Sequence, residues 1–536
     1  MITEGLKNRL ADGVFQLKVL TESGILGPTR PDRTAKIIST LLKSGTTPAT
    51  AIRIAAIKHG ARPFIVDEAG SLGFDQVDLR TNSLARALSR MGVGEGDGIA
   101  IMCRNHRGFV ESNLAASKLG ATALFLNTMF SGPQLAEVVE REGPKLLIHD
   151  AEFAGLLDGV PPEVTRVVAW GDVEPDSLSL DLLMASAGDE ALDAPGSQAR
   201  FIILTSGTTG APKGAQRSSP EGLGGLAGLL DAIPHRSGET MVIAAPLFHS
   251  WGFINSVVGL TLGATLVLQR RFDPAETMKL VDRHDADVLV AVPVMLQRIL
   301  DLPPEESLRF RADNLKITTL SGSALPGGLA TRWMDRYGDN LYSLYGSTEV
   351  AFAAIAGPQE LRREPTTAGH PPRGTSVILL DEDGERTRTG DIGRIFVSNN
   401  MTFDGYTGGG DKERLGSFTS TGDVGHFGPD GMLFIDGRDD EMIVSGGENV
   451  FPGEVEDLIA GHEDVVEVAV RGVDDEQFGQ VLKAWVVPSE PGAVDEARIK
   501  AFVRHNLASY KTPKEVVFMD ELPRNATGKI LKRALE

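Results

Sequence analysis

The chain has 536 residues, more than one ordinary compact domain, and its 41% hydrophobic and 24% charged residues are the balance of a globular protein with a large core. A formal charge of −20 argues against nucleic acid or an anionic membrane as the main partner, because polyanions are met by basic faces. The single cysteine, Cys103, excludes intrachain disulfides and suits a reducing compartment.

The N-terminus lacks an apolar signal core, so a cytoplasmic protein is expected. The segment before residue 30, with Val14, Phe15, Leu17 and Leu20, is expected as a helix packed on its own domain. A weak peripheral contact with membrane is the alternative, and the oligomeric state, a dimer included, is left open. From residue 60 to 440 short apolar runs (98–102, 145–148, 288–292, 317–320) alternate with helical patterns, which predicts βα units and largely parallel sheets. Cys103 ends the first of these runs and reads as a buried structural thiol. Residues 240–269 contain no Asp, Glu, Lys or Arg, a length that could span a bilayer. Pro246, His249, Ser250 and Asn255 interrupt it, so a buried strand–helix–strand unit is expected instead.

Between 376 and 436 the runs 376–380, 393–397 and 432–435 are divided by turns at Asp383-Gly384 and 429–431, which predicts an antiparallel, barrel-like portion. A charged knot at 438–441 follows. Beyond it come a helix near 454–460, opened by Pro452 and Glu454, strands near 465–470 and 482–487, and a helix near 495–507. The expected fold class is therefore α/β. A large N-terminal domain, 1–437, combines parallel α/β sheets with the barrel-like portion, and a small α+β domain, 438–536, follows a junction at 438–441.

The strongest chemical signal is 204–214, directly after the apolar run 201–203. Thr205, Ser206, Gly207, Thr208, Thr209 and Gly210 supply close backbone N–H groups and hydroxyl donors, and Lys213 adds a point charge, which together suit a triphosphate. It is not a Walker loop, because Lys213 is followed by Gly214 rather than by Ser or Thr.

The segment resembles the phosphate-loop signature of the adenylate-forming superfamily, and further motifs follow in that family's order across 204–529. Within the superfamily the chain is most similar to bacterial fatty-acyl-CoA synthetases. Tyr345, Gly346, Ser347, Thr348 and Glu349 match a second signature. There the resemblance implies a ring stacked on adenine, Thr348 near the phosphate and Glu349 holding Mg²⁺. Gly322, Ser323 and Ala324 are similar to the stretch that lies along the adenine. Asp423 takes the position that accepts hydrogen bonds from the ribose hydroxyls. Arg438 would reach the nucleotide, and Asp440 stands at the pivot of a mobile C-terminal domain. Ser445, Gly446 and Gly447 resemble the loop near the pantetheine arm of CoA, and Lys529 the cation at the reacting carboxylate and α-phosphate.

The implied reaction uses ATP, Mg²⁺ and CoA. A carboxylate attacks the α-phosphate, giving acyl-adenylate and pyrophosphate, and a thiol then displaces AMP. No protein nucleophile is required, in keeping with the absence of a Gly-x-Ser-x-Gly elbow. Residues 246–253 align with the segment lining the acyl pocket, with His249 at the aromatic gate. That segment has no carboxylate to pair a substrate ammonium, so an apolar acid is expected, a medium- or long-chain fatty acid. Trp251 and Phe253 either shape the pocket or pack in the core. Only seven residues follow Lys529, so CoA is expected as acceptor rather than a fused carrier. A separate acyl-carrier protein is the alternative. A scaffold without catalysis is the reading from another class, opposed by the presence of Lys213, Glu349, Asp423 and Lys529. The polar stretch 215–219 after the phosphate loop has no explanation at the level of sequence.

Overall fold

The computed structural model describes the chain outside residues 1, 198, 206–212, 219–221, 382, 440, 442, 446–447, 476–478, 508–510, 526–527 and 536. At 2–10, 205, 218, 444–445, 448–449, 479 and 533 it describes the backbone alone. The chain folds into two compact units. One comprises 1–291, 302–319 and 400–411, the other 292–301, 320–399 and 412–536.

The first unit begins with helices α1 (Ile2–Glu22), α2 (Pro31–Ser44) and α3 (Pro48–His59). It then builds two sheets. In one, Thr240–Ile243 lies between Thr265–Leu268 and Val288–Ala291, all parallel, and Pro63–Asp67 continues the sheet beside Thr265–Leu268. In the other, Gly98–Met102 lies between Thr122–Phe125 and Leu146–Asp150, again parallel. These strands are covered on both faces and therefore read as continuous apolar runs. The charge-free stretch forms strand Thr240–Ile243, helix Ser250–Leu262 and strand Thr265–Leu268, as its interruptions imply. Among the described residues no helix is long and apolar enough to cross a membrane.

Cys103 is fully buried, and burial pushes its thiol well above the usual range. Beside it the Gly108 N–H donates to His106 Nδ1 at 3.0 Å, so His106 Nε2 carries the proton and donates to Asp150 at 2.7 Å. One ring nitrogen thus holds the first turn of helix Arg107–Leu119 and the other ties it to the end of strand Leu146–Asp150. Cys103 is a packed thiol, as expected.

In the second unit the runs expected to pair antiparallel do so. Ser376–Leu380 pairs with Gly393–Ser398, which pairs with Phe418–Phe427, which pairs with Leu433–Arg438. The C-terminal part places helices Pro452–Ala460 and Glu496–Asn506 with strands Val465–Asp475, Gly479–Pro488 and Glu515–Phe518. Asp495 caps the second helix, accepting from the Arg498 N–H at 2.8 Å. Val455, Ile459, Val470, Leu482, Val486, Ile499 and Val503 form the core of this part. Each such side chain contributes roughly 1.5–3 kcal/mol through burial.

Candidate active site

The residues expected to hold phosphate lie between two strands that define where the loop leaves and returns. Arg200–Thr205 and Lys213–Ser218 are antiparallel, with Thr205 opposite Lys213. Ser206, Gly207, Thr208, Thr209 and Gly210 lie outside the described residues, as does the Thr205 side chain. Gly214 is fixed by packing: a Cβ there would come within 2.6 Å of Thr407 Oγ1 and 2.7 Å of an Ile202 methyl. The exposed Lys213 carries its ammonium 5.4 Å from the centroid of the Tyr406 ring. The polar stretch from Ala215 is a strand. It pairs with Arg200–Thr205 on one side and Gly405–Tyr406 on the other, burying Ala215 and leaving Gln216 and Arg217 half-buried.

Tyr345 closes strand Leu341–Tyr345, and the chain turns back into Ala354–Ala356. At Gly346 a Cβ would strike the Ala351 carbonyl, so the turn admits glycine alone. Ser347 Oγ accepts from the N–H groups of Glu349 (3.2 Å) and Val350 (3.4 Å). Asn399 Nδ2 donates to the Val350 and Phe352 carbonyls at 2.9 and 3.0 Å. The turn is therefore built by packing and hydrogen bonds before any ligand arrives. Gly346→Ala is expected to lower the unfolding free energy by ~1–3 kcal/mol, read from chemical denaturation.

Across the unit's antiparallel sheet, Asp423 stands opposite Arg438. The Tyr345 hydroxyl donates to Asp423 Oδ2 at 2.6 Å and Arg438 Nη1 donates to Oδ1 at 3.1 Å. Burial pushes the Asp423 carboxyl above the usual carboxylate range, while the Tyr345 hydroxyl and the Arg438 guanidinium pull the other way. The charge of Lys529 acts on the same carboxyl. Burial and the Asp423 charge hold the Tyr345 phenol well above its ordinary value. Glu349 is buried, and Gly322, Ser323 and Ala324 form an exposed loop after strand Ile317–Leu320, with Gly322 at φ +96°.

Lys529 is exposed on a closed loop. The Asn525 N–H donates to the Lys529 carbonyl and the Lys529 N–H to Asn525 Oδ1, both at 2.9 Å. Gly528 turns the chain at φ +80°. Arg524 donates to the Gly528 carbonyl at 2.5 Å and pairs with Glu467 at 2.6 Å, tying the loop to the C-terminal sheet. Asp440, Gly446 and Gly447 lie outside the described residues, and Ser445 is described as backbone in strand Ile443–Ser445.

His249 stands at the N-cap of helix Ser250–Leu262. Its Nε2 is buried without a hydrogen-bond partner among the described residues, and burial pushes the imidazole down to about 3. It is therefore neutral through the physiological range. Trp251 Nε1 donates to the Ala291 carbonyl at 3.0 Å, and the Phe253 ring lies 4.8 Å from Phe125 and 5.0 Å from Phe201. Both are core residues.

Two family models match the chain in sequence order. The AMP-binding enzyme model covers residues 52–407, and the AMP-binding enzyme C-terminal domain covers 454–529. The chain belongs to the AMP-binding enzyme family. Among its relatives, the indoleacetate–CoA ligase of Aromatoleum aromaticum is 32% identical over 86% of this chain and 92% of that protein. The long-chain-fatty-acid–CoA ligase FadD13 of Mycobacterium tuberculosis is 28% identical over 86% and 92%. The fold matches the crystal structure of the anthranilate CoA ligase AuaEII with anthranoyl-AMP at a TM-score of 0.84 and 24% identity, covering 91% of this chain and 96% of that one. This AMP-binding enzyme is thus an adenylate-forming acid–CoA ligase by family, and its relatives differ in the acid they take.

Two further side chains support this AMP-binding enzyme's site. Asn105, buried, donates to the Ile243 carbonyl at 3.2 Å and the Ala245 carbonyl at 2.9 Å, and accepts from the Leu247 N–H at 2.8 Å. It therefore sets the path of the segment leading to His249. Arg524 does the same for Lys529. An Asn beside a buried strand is the one trace of the first in the sequence.

Proposed function

We propose that the protein converts an apolar carboxylic acid, in first place a medium- or long-chain fatty acid, into its CoA thioester with cleavage of ATP to AMP and pyrophosphate. The observation that carries this reading is the half-buried Asp423 carboxylate gripped by Tyr345 and Arg438 with Lys529 acting on it. Two vicinal ribose hydroxyls suit such a carboxylate, and the Tyr345 ring offers a face to adenine beside the Gly322–Ala324 backbone. Thr205–Gly210 and Lys213 take the phosphates.

In the first half, a carboxylate oxygen attacks the α-phosphorus and the bond to pyrophosphate breaks. Lys529 offsets the repulsion of the two anions and the charge gathering on the phosphoryl oxygens. In the second, the CoA sulfur attacks the acyl carbon and AMP departs. Asp440 serves as pivot for the 438–536 domain, bringing Ser445–Gly447 to the pantetheine arm. The donor chemistry fits Mg²⁺, because a buried hard carboxylate, Glu349, together with substrate phosphates is how this ion is usually held. Bound there, Mg²⁺ would neutralise phosphate charge. The neutral His249 and the carboxylate-free segment around it suit an uncharged acyl group.

Acid-dependent exchange of pyrophosphate into ATP, followed by thioester formation with CoA, tests this over a panel of acids. Fatty acids of medium or long chain are expected to give the highest kcat/KM. The 32% identity to the indoleacetate ligase favours a second reading, an arylalkanoic acid, which a win for aromatic acids in the panel would establish. Acetate or an amino acid at the head of the panel would overturn both. Failure of every acid in the panel to support exchange would return the scaffold reading, and transfer to acyl-carrier protein but not CoA the carrier reading.

A further inference from the structure

Helix α2 packs on α3 with Arg33, Ile37, Thr40 and Ser44, spaced as one helical face. On its other side Ile38, Leu41 and Leu42 are exposed, Leu42 at 83% and Ile38 at 53%, and no residue of the helix is buried. Of the sixteen exposed large hydrophobics of the described chain, these three share one side of a single helix.

Charge says what covers it. Residues 30–62 contain seven Lys and Arg against one acidic residue, Asp32, for a net +6 in a chain of −20. Arg33 and Lys58 donate to backbone carbonyls, Lys58 O and Ile25 O, which leave their charge in place. We propose that α2 is a peripheral anchor that lies in the interface of an anionic phospholipid bilayer. At 14 residues it is about 21 Å long, too short to span about 30 Å of hydrocarbon. An amphipathic helix of low overall hydrophobicity flanked by lysines is suited to lying in the plane instead. Ile38, Leu41 and Leu42 enter the acyl boundary, and Lys36 and Lys43 reach the headgroups. A second copy of the chain is the poorer occupant, because self-association would bring the exposed Lys36 and Lys43 of one copy against those of the other. The inference stands apart from the identity of the acid.

The test is sedimentation of the full chain with phosphatidylglycerol–phosphatidylcholine vesicles and with phosphatidylcholine vesicles. Binding to the anionic vesicles is expected to exceed that to the neutral ones by about 10-fold and to weaken with added salt. Ile38→Asp with Leu42→Asp should abolish binding to both, and Lys36→Glu with Lys43→Glu should remove the preference for the anionic vesicles. Both pairs are exposed, so acid activation in vesicle-free solution should be unchanged. Equal sedimentation of wild type and variants would overturn the proposal. So would a gel-filtration dimer dissolved by Leu42→Asp, or capture of an acidic protein with no vesicle binding.

Discussion

Lys529→Ala is expected to lower acyl-adenylate formation by roughly 100- to 1000-fold while thioester formation from supplied acyl-adenylate falls far less. The attack brings a carboxylate to a phosphoryl group that already carries negative charge, so the barrier is largely electrostatic. A cation aimed at that point by a pre-formed loop costs little reorganisation when the bond forms. The loop is pre-formed by its own hydrogen bonds and by Arg524, and alanine at 529 keeps both backbone bonds to Asn525. The side chain is exposed, so stability should be unchanged. Pyrophosphate exchange reads the first half and release of AMP from synthetic acyl-adenylate and CoA reads the second. Equal losses in both would remove Lys529 from the role proposed for it.

What was legible in the sequence follows from what local patterns encode. Runs such as 98–102, 317–320 and 376–380 are strands because their neighbours bury both faces or one face consistently. Pro452 and Asp495 announce helix starts through capping chemistry that needs only adjacent residues. Tyr345, Asp423 and Arg438 were each visible as motif positions. Their contact was not, because it depends on a cross-strand register and on a hydrogen bond between residues 78 apart. Lys213–Ser218 was missed as a strand because Gln216 and Arg217 have little β propensity, and partners on both sides decide it instead. Trp251 and Phe253 read from sequence as either pocket or core, and the indole hydrogen bond and the Phe125–Phe253–Phe201 contacts place both in buried packing. Asn105 acts through carbonyls 138 and 140 residues away and Arg524 through the Glu467 carboxylate, partners no spacing records.

Asp423→Ala is expected to raise the KM for ATP by about 10- to 100-fold and to erase the preference for ATP over 2′-deoxy-ATP. A carboxylate that accepts from ribose makes charge-assisted bonds, and a site built around them rejects the analogue that lacks a hydroxyl. The sign of the stability effect separates this from unfolding. The folded carboxyl holds its proton more tightly than an ordinary aspartic acid, since burial raises its pKa. The folded state therefore binds more protons between the two pKa values, and ionisation of Asp423 opposes folding as pH rises through that window. Holding the carboxylate is a cost to the fold, partly offset by Tyr345 and Arg438. Replacing it removes that cost and those two bonds together, so the change in Tm should be small beside the loss of nucleotide selectivity. Tyr345→Phe keeps the ring and removes one donor, so it should raise the KM for ATP less than Asp423→Ala and leave the preference for the ribonucleotide in place. A variant at 423 that still distinguished the two nucleotides would show that the ribose is recognised elsewhere.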